Sequence, residues 1–207
     1  MAAESDERFI RIYRGLRAEL ARAVREPGAQ LRVDETARAY GVSPTPVREA
    51  LWKLAGERLV GESRGRGFFV PLPSSEDIEE LYVGAELHLL SAIRAWEEGR
   101  PVPAAGEERD FYPLLAAILT GSGQRLLVDA GLLWIERLSL ARAVEPAILE
   151  SGDEWECLAQ ALSDRATEKL ARAVRAYCRR RRVRSQDLAR AIRARAGKAH
   201  EYIPDML

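Results

Sequence analysis

The stretch Gly41-Val-Ser-Pro-Thr-Pro-Val-Arg-Glu-Ala-Leu-Trp-Lys-Leu54 constrains the fold more tightly than any other part of the chain. Ser43 is a favoured residue just before a helix. Pro44 suits the first helical position, where a missing N–H is harmless and the ring presets φ. Val47, Ala50, Leu51 and Leu54 then recur at i, i+3, i+4 and i+7, so one stripe packs inward. Thr45, Arg48, Trp52 and Lys53 fall on the other faces. Taken alone, this is also the pattern of an ordinary amphipathic surface helix, and its neighbours have to decide its purpose.

Upstream, Phe9, Tyr13, Leu16, Leu20 and Val24 predict one face of a first helix, ended by Glu26-Pro27-Gly28. Asp34 can cap a short second helix reaching Tyr40, with Ala37 and Tyr40 inward, and Gly41 supplies the tight turn into Val42. Two short helices joined by a glycine turn make a helix-turn-helix, whose second helix usually enters the major groove by its N-terminal end, here Thr45 and Arg48. Downstream, Leu59 to Ser63 and Phe68 to Val70 flank Arg64-Gly65-Arg66-Gly67, which predicts a β-hairpin with a basic tip. Such a tip suits phosphate or a minor groove, though a plain solvated hairpin has the same look.

The 207 residues allow one large or two small domains with real cores. No apolar run approaches the roughly 20 residues of a membrane span, and the first residues lack the basic and apolar regions of a secretion signal, which predicts a cytoplasmic protein with no membrane partner. Cys157 and Cys178 show neither metal-ligand nor disulfide-scaffold spacing and are expected as buried, reduced thiols. Formal charge is zero overall, but residues 1–71 hold 13 Lys and Arg against 10 Asp and Glu, while 72–207 hold 19 against 22. Only the first part has the sign expected of a surface that meets phosphate.

Pro71-Leu72-Pro73 reads as a stiff linker and Ser74-Ser75-Glu76-Asp77 as a strong helix start, so domains are expected at 1–72 and 73–207. In the second, Ile78, Leu81, Ala85, Leu89, Ala92 and Trp96 form one stripe ended by Gly99-Arg100-Pro101. Further helices are predicted over about Glu108–Leu119, Arg125–Val144, Glu154–Leu162, Ala166–Arg182 and Ser185–Ala196. The fold class is therefore mainly α: a winged helix-turn-helix of three helices plus a hairpin, then an all-α bundle of about six helices. Arg179 to Arg182 with Arg184 reads as a solvated helix end; contact with DNA or with an acidic face of a partner subunit is the alternative. The last helix can cap the bundle or mediate a dimer.

From Tyr13 to Val70 the residues resemble the winged-helix regulators of the GntR family. The likeness is carried by Tyr13-x-x-Leu16-Arg17, Pro27-Gly28-x-x-Leu31, the Gly41 to Leu54 stretch, Leu59-Val60 and Gly65-Arg-Gly-Phe-Phe-Val70. The resemblance implies that Thr45 and Arg48 meet DNA and that the tip from Arg64 to Gly67 enters the minor groove. The candidate DNA-binding set is Ser43, Pro44, Thr45, Arg48, Lys53, Arg64, Gly65, Arg66 and Gly67. The family usually has Arg where this chain has Pro44, and losing one bidentate base contact removes about 1–3 kcal/mol of discrimination.

The helical half resembles the FCD effector domain of the FadR-like branch, in which an Asp and three His often bind a divalent metal. The corresponding positions here are Glu108 with Phe111-Tyr112, Trp155 and Tyr177. All three histidines are absent, and neither phenol nor indole is a good ligand, so no metal and no cofactor is expected. An arginine that often meets an effector carboxylate falls at Ala85. The candidate pocket set is Ala85, His88, Tyr112, Trp134, Trp155 and Tyr177, with His88 read as an ordinary polar contact. Such a pocket suits an apolar or aromatic effector of unknown identity. The same aromatics can instead fill the space, leaving a solid core that only dimerises.

The resemblance implies a homodimeric regulator, a repressor by the commoner family mode, on a pseudo-palindromic operator in double-stranded DNA. Ligand binding in the helical half would shift operator affinity. The alternative is a constitutive DNA-binding protein. No nucleophile-base pair or phosphate-cradling loop suggests an enzyme.

Overall fold

The computed structural model describes residues 2–96, 110–149 and 152–196. The chain divides into two compact units, residues 1–72 together with the chain from Ala191 onward, and residues 73–190. The sequence places everything after residue 72 in the second unit, so the grouping of the chain from Ala191 with the first unit differs from that expectation. Within that segment Ile192 is fully buried.

The first unit comprises α1 (Ala2–Ala21), β1 (Gln30–Leu31), α2 (Val33–Tyr40), α3 (Pro44–Gly56), β2 (Gly61–Ser63) and β3 (Gly67–Phe69). Its core is the stripe expected on α3, with Val47, Ala50, Leu51 and Leu54 all at zero exposure, packed against α1. On α1 the buried residues are Ile12, Leu16 and Leu20, joined past its end by Ala23. The expected stripe is rotated: Phe9 and Tyr13 sit half-buried and Val24 is exposed, because α1 stops at Ala21 and Ala23 takes φ 50°.

α2 starts one residue before Asp34, which stays exposed and is not its cap; Thr36 and Ala37 are buried, while Tyr40 is half-buried. Gly41, at φ 65°, ends α2 in the left-handed conformation that a glycine favours, and Val42 N–H donates to Ala37 O. The hairpin gains a third strand, giving the antiparallel order β1-β3-β2, with Gln30 opposite Phe69 and Glu62 opposite Phe68. Two residues are too few for a period-2 pattern, so β1 leaves no mark in the sequence.

The second unit holds α4 (Ser75–Arg94), α5 (Phe111–Thr120), α6 (Arg125–Arg137), α7 (Ser139–Val144), a 3₁₀ turn (Glu145–Ala147), α8 (Glu154–Ser163), α9 (Thr167–Val183) and the start of α10 (Ser185–Arg195). Ser74 and Asp77 form the expected capping box: Asp77 N–H donates to Ser74 Oγ at 3.1 Å and Ser74 N–H to Asp77 Oδ2 at 2.8 Å. α4 is the central helix, packed on α9, α6 and α5, and buries Ile78, Leu81, Tyr82, Ala85, Leu89 and Ala92. Gly84 lets the Trp134 ring lie against it; a Cβ there would stand 2.4 Å from the ring.

The single helix expected over Arg125–Val144 breaks at Leu138. Arg142 Nη1 donates to Ile135 O at 2.6 Å, satisfying a carbonyl beside the break. The stop signal Gly99-Arg100-Pro101 and Glu108 lie outside the described residues, and α5 begins at Phe111 with Asp110 as its cap.

Inside this unit sits a buried charge cluster. Arg181 is 1% exposed. Its Nε donates to Glu145 Oε2 at 2.9 Å and its Nη1 to both Glu154 oxygens, at 3.0 and 2.9 Å, and to Tyr177 O at 3.1 Å. Tyr82 O–H donates to the other Glu145 oxygen. The guanidinium lies 3.5 Å from the Tyr177 ring centroid and 4.9 Å from that of Phe111. Burial works to lower the Arg181 pKa, but Tyr177, Glu145, Tyr82 and Glu154 around it outweigh that and raise it. The expectation that Arg179–Arg182 is a solvated helix end thus fails at Arg181. The helical repeat turns one arginine of the run into the core while Arg182 pairs with Glu79 and Arg184 with Asp187.

Removing one partner from such a cluster leaves the others charged and buried, a loss of about 3–5 kcal/mol. Arg181→Met is therefore expected to lower stability by that order in urea unfolding, and a change below about 1 kcal/mol would contradict the role given to the cluster. In the first unit Tyr13 O–H donates to the Glu57 carboxylate (2.8 and 2.9 Å) and accepts from Arg17 Nη1 at 2.6 Å. Burial, then the bond to Glu57, pushes the Tyr13 pKa up to about 12. A raised folded pKa means stability fully present below the ordinary value near 10.0 and lost as pH climbs from there to about 12. Comparing wild type with Tyr13→Phe across that range should show the variant losing less stability, with a deficit of about 1 kcal/mol at neutral pH.

Candidate functional site

α3 is held from behind by its apolar stripe, which leaves Thr45, Arg48, Glu49 and Trp52 together on the exposed side. Ser43 has the extended backbone of a helix cap, φ −71° and ψ 161°, but its side chain makes no capping bond. Of the two N–H groups that a capping serine can accept, at the second and third helical residues, Pro46 removes the latter. With Pro44 also lacking an N–H, Thr45 supplies the sole backbone donor among the first three helical residues.

Trp52, 50% exposed, meets Phe68 edge-on at 5.1 Å between centroids and so ties α3 to the hairpin. At the hairpin tip, Arg66 N–H closes the turn on Ser63 O at 3.2 Å, and Gly65 and Gly67 have φ of 85° and 73°, which their missing side chains permit. Arg64 and Arg66 project into solvent from this tip. An open groove of about 500 Å³ separates α2 from the hairpin, lined by Gln30, Arg32, Arg38, Arg48 and Gly67 among others. Arg32 pairs with Glu35 at 3.0 Å, whereas Arg48, Arg64 and Arg66 form no ion pair among the described residues. Arg48, which lines this groove beside Gly67, and the exposed guanidiniums of the tip are thus available to a polyanion, with Asp34 and Glu35 as the acidic members of the groove.

Lys53 is placed differently. Its Nζ lies 3.7 Å from Glu57 and 5.1 Å from the Tyr13 ring centroid, so it leans on α1 rather than joining Arg48. Gln30, Arg32 and Arg38 were not among the residues the sequence singled out; only the fold brings them beside Arg48, and the motif that drew attention to Arg48 does not extend to them.

In the helical unit the candidate pocket residues are each engaged by their own neighbours. Ala85 is buried on α4, and His88 Nδ1 donates to Gly84 O at 2.7 Å beside the Trp134 ring. Tyr112 O–H donates to Glu136 at 3.3 Å, with the Arg142 guanidinium 4.8 Å from its ring centroid. Trp155 Nε1 donates to Asp110 O at 3.3 Å. Tyr177 is buried under Arg181 and Phe111, with no hydrogen-bond partner for its hydroxyl. These residues do not fit a divalent metal, because an indole N–H turned to a carbonyl cannot ligate and Arg181 already brings a cation against Tyr177. Cys178 is buried as expected, and burial raises its pKa; Cys157 is exposed, contrary to expectation. No described helix is long and apolar enough to cross a membrane.

Comparison with known proteins gives these geometries a context. Residues 10–70 match the model of the bacterial regulatory proteins of the gntR family. The HTH-type transcriptional regulator YdhC of Bacillus subtilis, itself uncharacterized, is 26% identical over 74 residues, which span 36% of this chain and 33% of that protein. The structure resembles that of a protein assigned as a GntR transcriptional regulator from Rhodococcus sp. RHA1, with a TM-score of 0.73 and 21% identity over 87% of this chain and 98% of the other. It also resembles McbR/YncC of E. coli, at 0.63 and 18% over 87% and 97%. At those identities the structural likeness speaks for the fold alone, a winged helix-turn-helix followed by helices. Residues 10–70 of this chain are a helix-turn-helix domain of the GntR family.

Proposed function

We propose that the protein is a sequence-specific DNA-binding transcriptional regulator, a repressor that works in the cytoplasm as a homodimer on a pseudo-palindromic operator. The observation that carries this reading is that Arg48, on the exposed side of α3, and Arg64 and Arg66, on the hairpin tip, are exposed and form no ion pair among the described residues. Thr45 and Arg48 lie at the leading end of the reading helix, and the Arg64–Gly67 tip is the segment that enters the minor groove. Ser43 and Pro44 flank that end, and Lys53 stands back from it. Pro44 cannot donate to a base, so discrimination rests on the remaining contacts and on DNA shape.

The helical unit can serve in two ways. As a sensor it would hold an apolar or aromatic effector near Tyr112, Trp155 and Tyr177 and change operator affinity through its preference for one arrangement of the dimer. As a pairing module it would bind nothing. The packing of Tyr177 beneath Arg181 and Phe111 favours the pairing form. A thermal-shift screen against acyl-CoAs, aromatic acids and sugar acids separates them: under the pairing form no compound both raises Tm and releases operator DNA, and one that does both establishes the sensor.

For the reading helix, Arg48→Ala is expected to weaken operator binding by about 1–3 kcal/mol and relax specificity if Arg48 meets a base, or to reduce the salt slope by about 1 if it meets a phosphate. Titration at several salt concentrations distinguishes the two. Unchanged affinity and slope would reject the assignment of this helix.

A further inference from the structure

The solvent faces of α4 and α9 adjoin along one seam, and their charges are sorted by helix. The two run antiparallel: near one end Glu79 Oε1 lies 3.5 Å from Arg182 Nη2, and Tyr82 meets Tyr177 edge-on. From Glu79 the helical repeat carries Glu80, Val83 and Leu87 round α4, away from the core; from Arg182 it carries Arg179, Arg175 and Arg172 round α9. One half of the surface is therefore acidic and the other basic. Toward the opposite end both signs reverse, with Arg94 exposed on α4 and Glu168 on α9. Glu80, Arg172, Arg175 and Arg179 form no ion pair among the described residues. Leu87, 62% exposed, and Val183, 78% exposed, add uncovered apolar surface on the two halves.

From this charge order we infer that the α4–α9 face is where a second copy of the chain docks, with α4 of each subunit lying on α9 of the other. The inference rests on the homodimer reading above and names its surface. A two-fold axis along the seam lays α4 over the partner subunit's α9, keeps helix direction, and brings residues of equal height together. Glu79 and Glu80 then face Arg179 of the partner subunit, while Arg94 comes to the level of Glu168 of the partner subunit. An in-plane axis across the seam reverses height and would lay the middle of α9, with Arg172, Arg175 and Arg179, on the same stretch of the partner subunit, which charge repulsion opposes. A uniformly acidic partner such as nucleic acid would meet α9 but be repelled by the carboxylates beside it. A second copy satisfies both halves.

The test is sedimentation equilibrium of the full chain, with circular dichroism as a check on folding. The double variant Glu79→Lys/Glu80→Lys reverses two carboxylates of α4, and Arg175→Glu/Arg179→Glu reverses two guanidiniums of α9. Each is expected to weaken self-association at least roughly tenfold, and an equimolar mixture to restore a dimer, because the two altered faces complement one another. Wild-type association should also weaken toward about 1 M salt, where screening reaches ~3 Å. A wild-type dimer that both reversals leave intact, or reversed variants that do not pair when mixed, overturns this face while leaving the dimer reading in place. A wild-type chain that stays monomeric overturns both.

Discussion

Burial of one stripe of α3 fixes the rotation of that helix, and with it everything the first unit offers to a partner. With Val47, Ala50, Leu51 and Leu54 at zero exposure, no rotation about the helix axis is possible without bringing Thr45 or Arg48 into an apolar core. The consequence reaches the hairpin as well. Trp52 projects from the exposed side and braces Phe68, so the helix that would read a groove also sets where the Arg64–Gly67 tip stands. The paired prolines add stiffness at the start of α3 while removing two N–H groups that a phosphate could otherwise use. Side chains, rather than the helix terminus, then have to supply the contacts.

The second unit depends on a different kind of interaction. Arg181 faces two carboxylates and two aromatic rings where an apolar side chain would have packed more cheaply. A buried ion cluster adds little net stability over an apolar core of equal volume, but it is intolerant of partial loss. It also joins segments far apart in the chain: Tyr82 from α4, Glu145 from the turn after α7, Glu154 from the start of α8, and Tyr177 with Arg181 from α9. Any register other than the observed one would strand a charge, so the cluster specifies how these helices meet.

The legible parts of the sequence were those governed by local rules. Ser74 to Asp77 announced its capping box, Gly41 its left-handed turn, and the i, i+3, i+4, i+7 stripe the packed side of α3. The missed features each depend on a second group that no periodic pattern marks. β1 is two residues long and exists only because β3 pairs with it; the break at Leu138 is accompanied by Arg142 reaching a nearby carbonyl; Ser43 loses one of its two capping donors to Pro46. The burial of Arg181 is the plainest case. A run of arginines reads as solvent-exposed on composition, and only the positions of Glu145 and Glu154 in space make one of them a core residue. At the candidate DNA surface the motif drew attention to Arg48 and the tip, whereas the groove that Gln30, Arg32 and Arg38 line with Arg48 is a product of the sheet.

The charge layout bears on how such a protein would find its site. A net charge of zero gives no long-range pull toward DNA, and the excess in residues 1–71 is only three positive charges. Attraction must therefore come from a few guanidiniums at short range, within a Debye length of about 8 Å at physiological salt. Leaving Arg48, Arg64 and Arg66 unpaired concentrates what little positive field the unit has where α3 and the hairpin meet the solvent. The Glu80 carboxylate and the Arg172, Arg175 and Arg179 guanidiniums of α4 and α9 are likewise left without an ion pair, with opposite signs on the two helices. Such an order of charge is read at contact, by a surface that carries the complementary order, and another copy of the chain carries it.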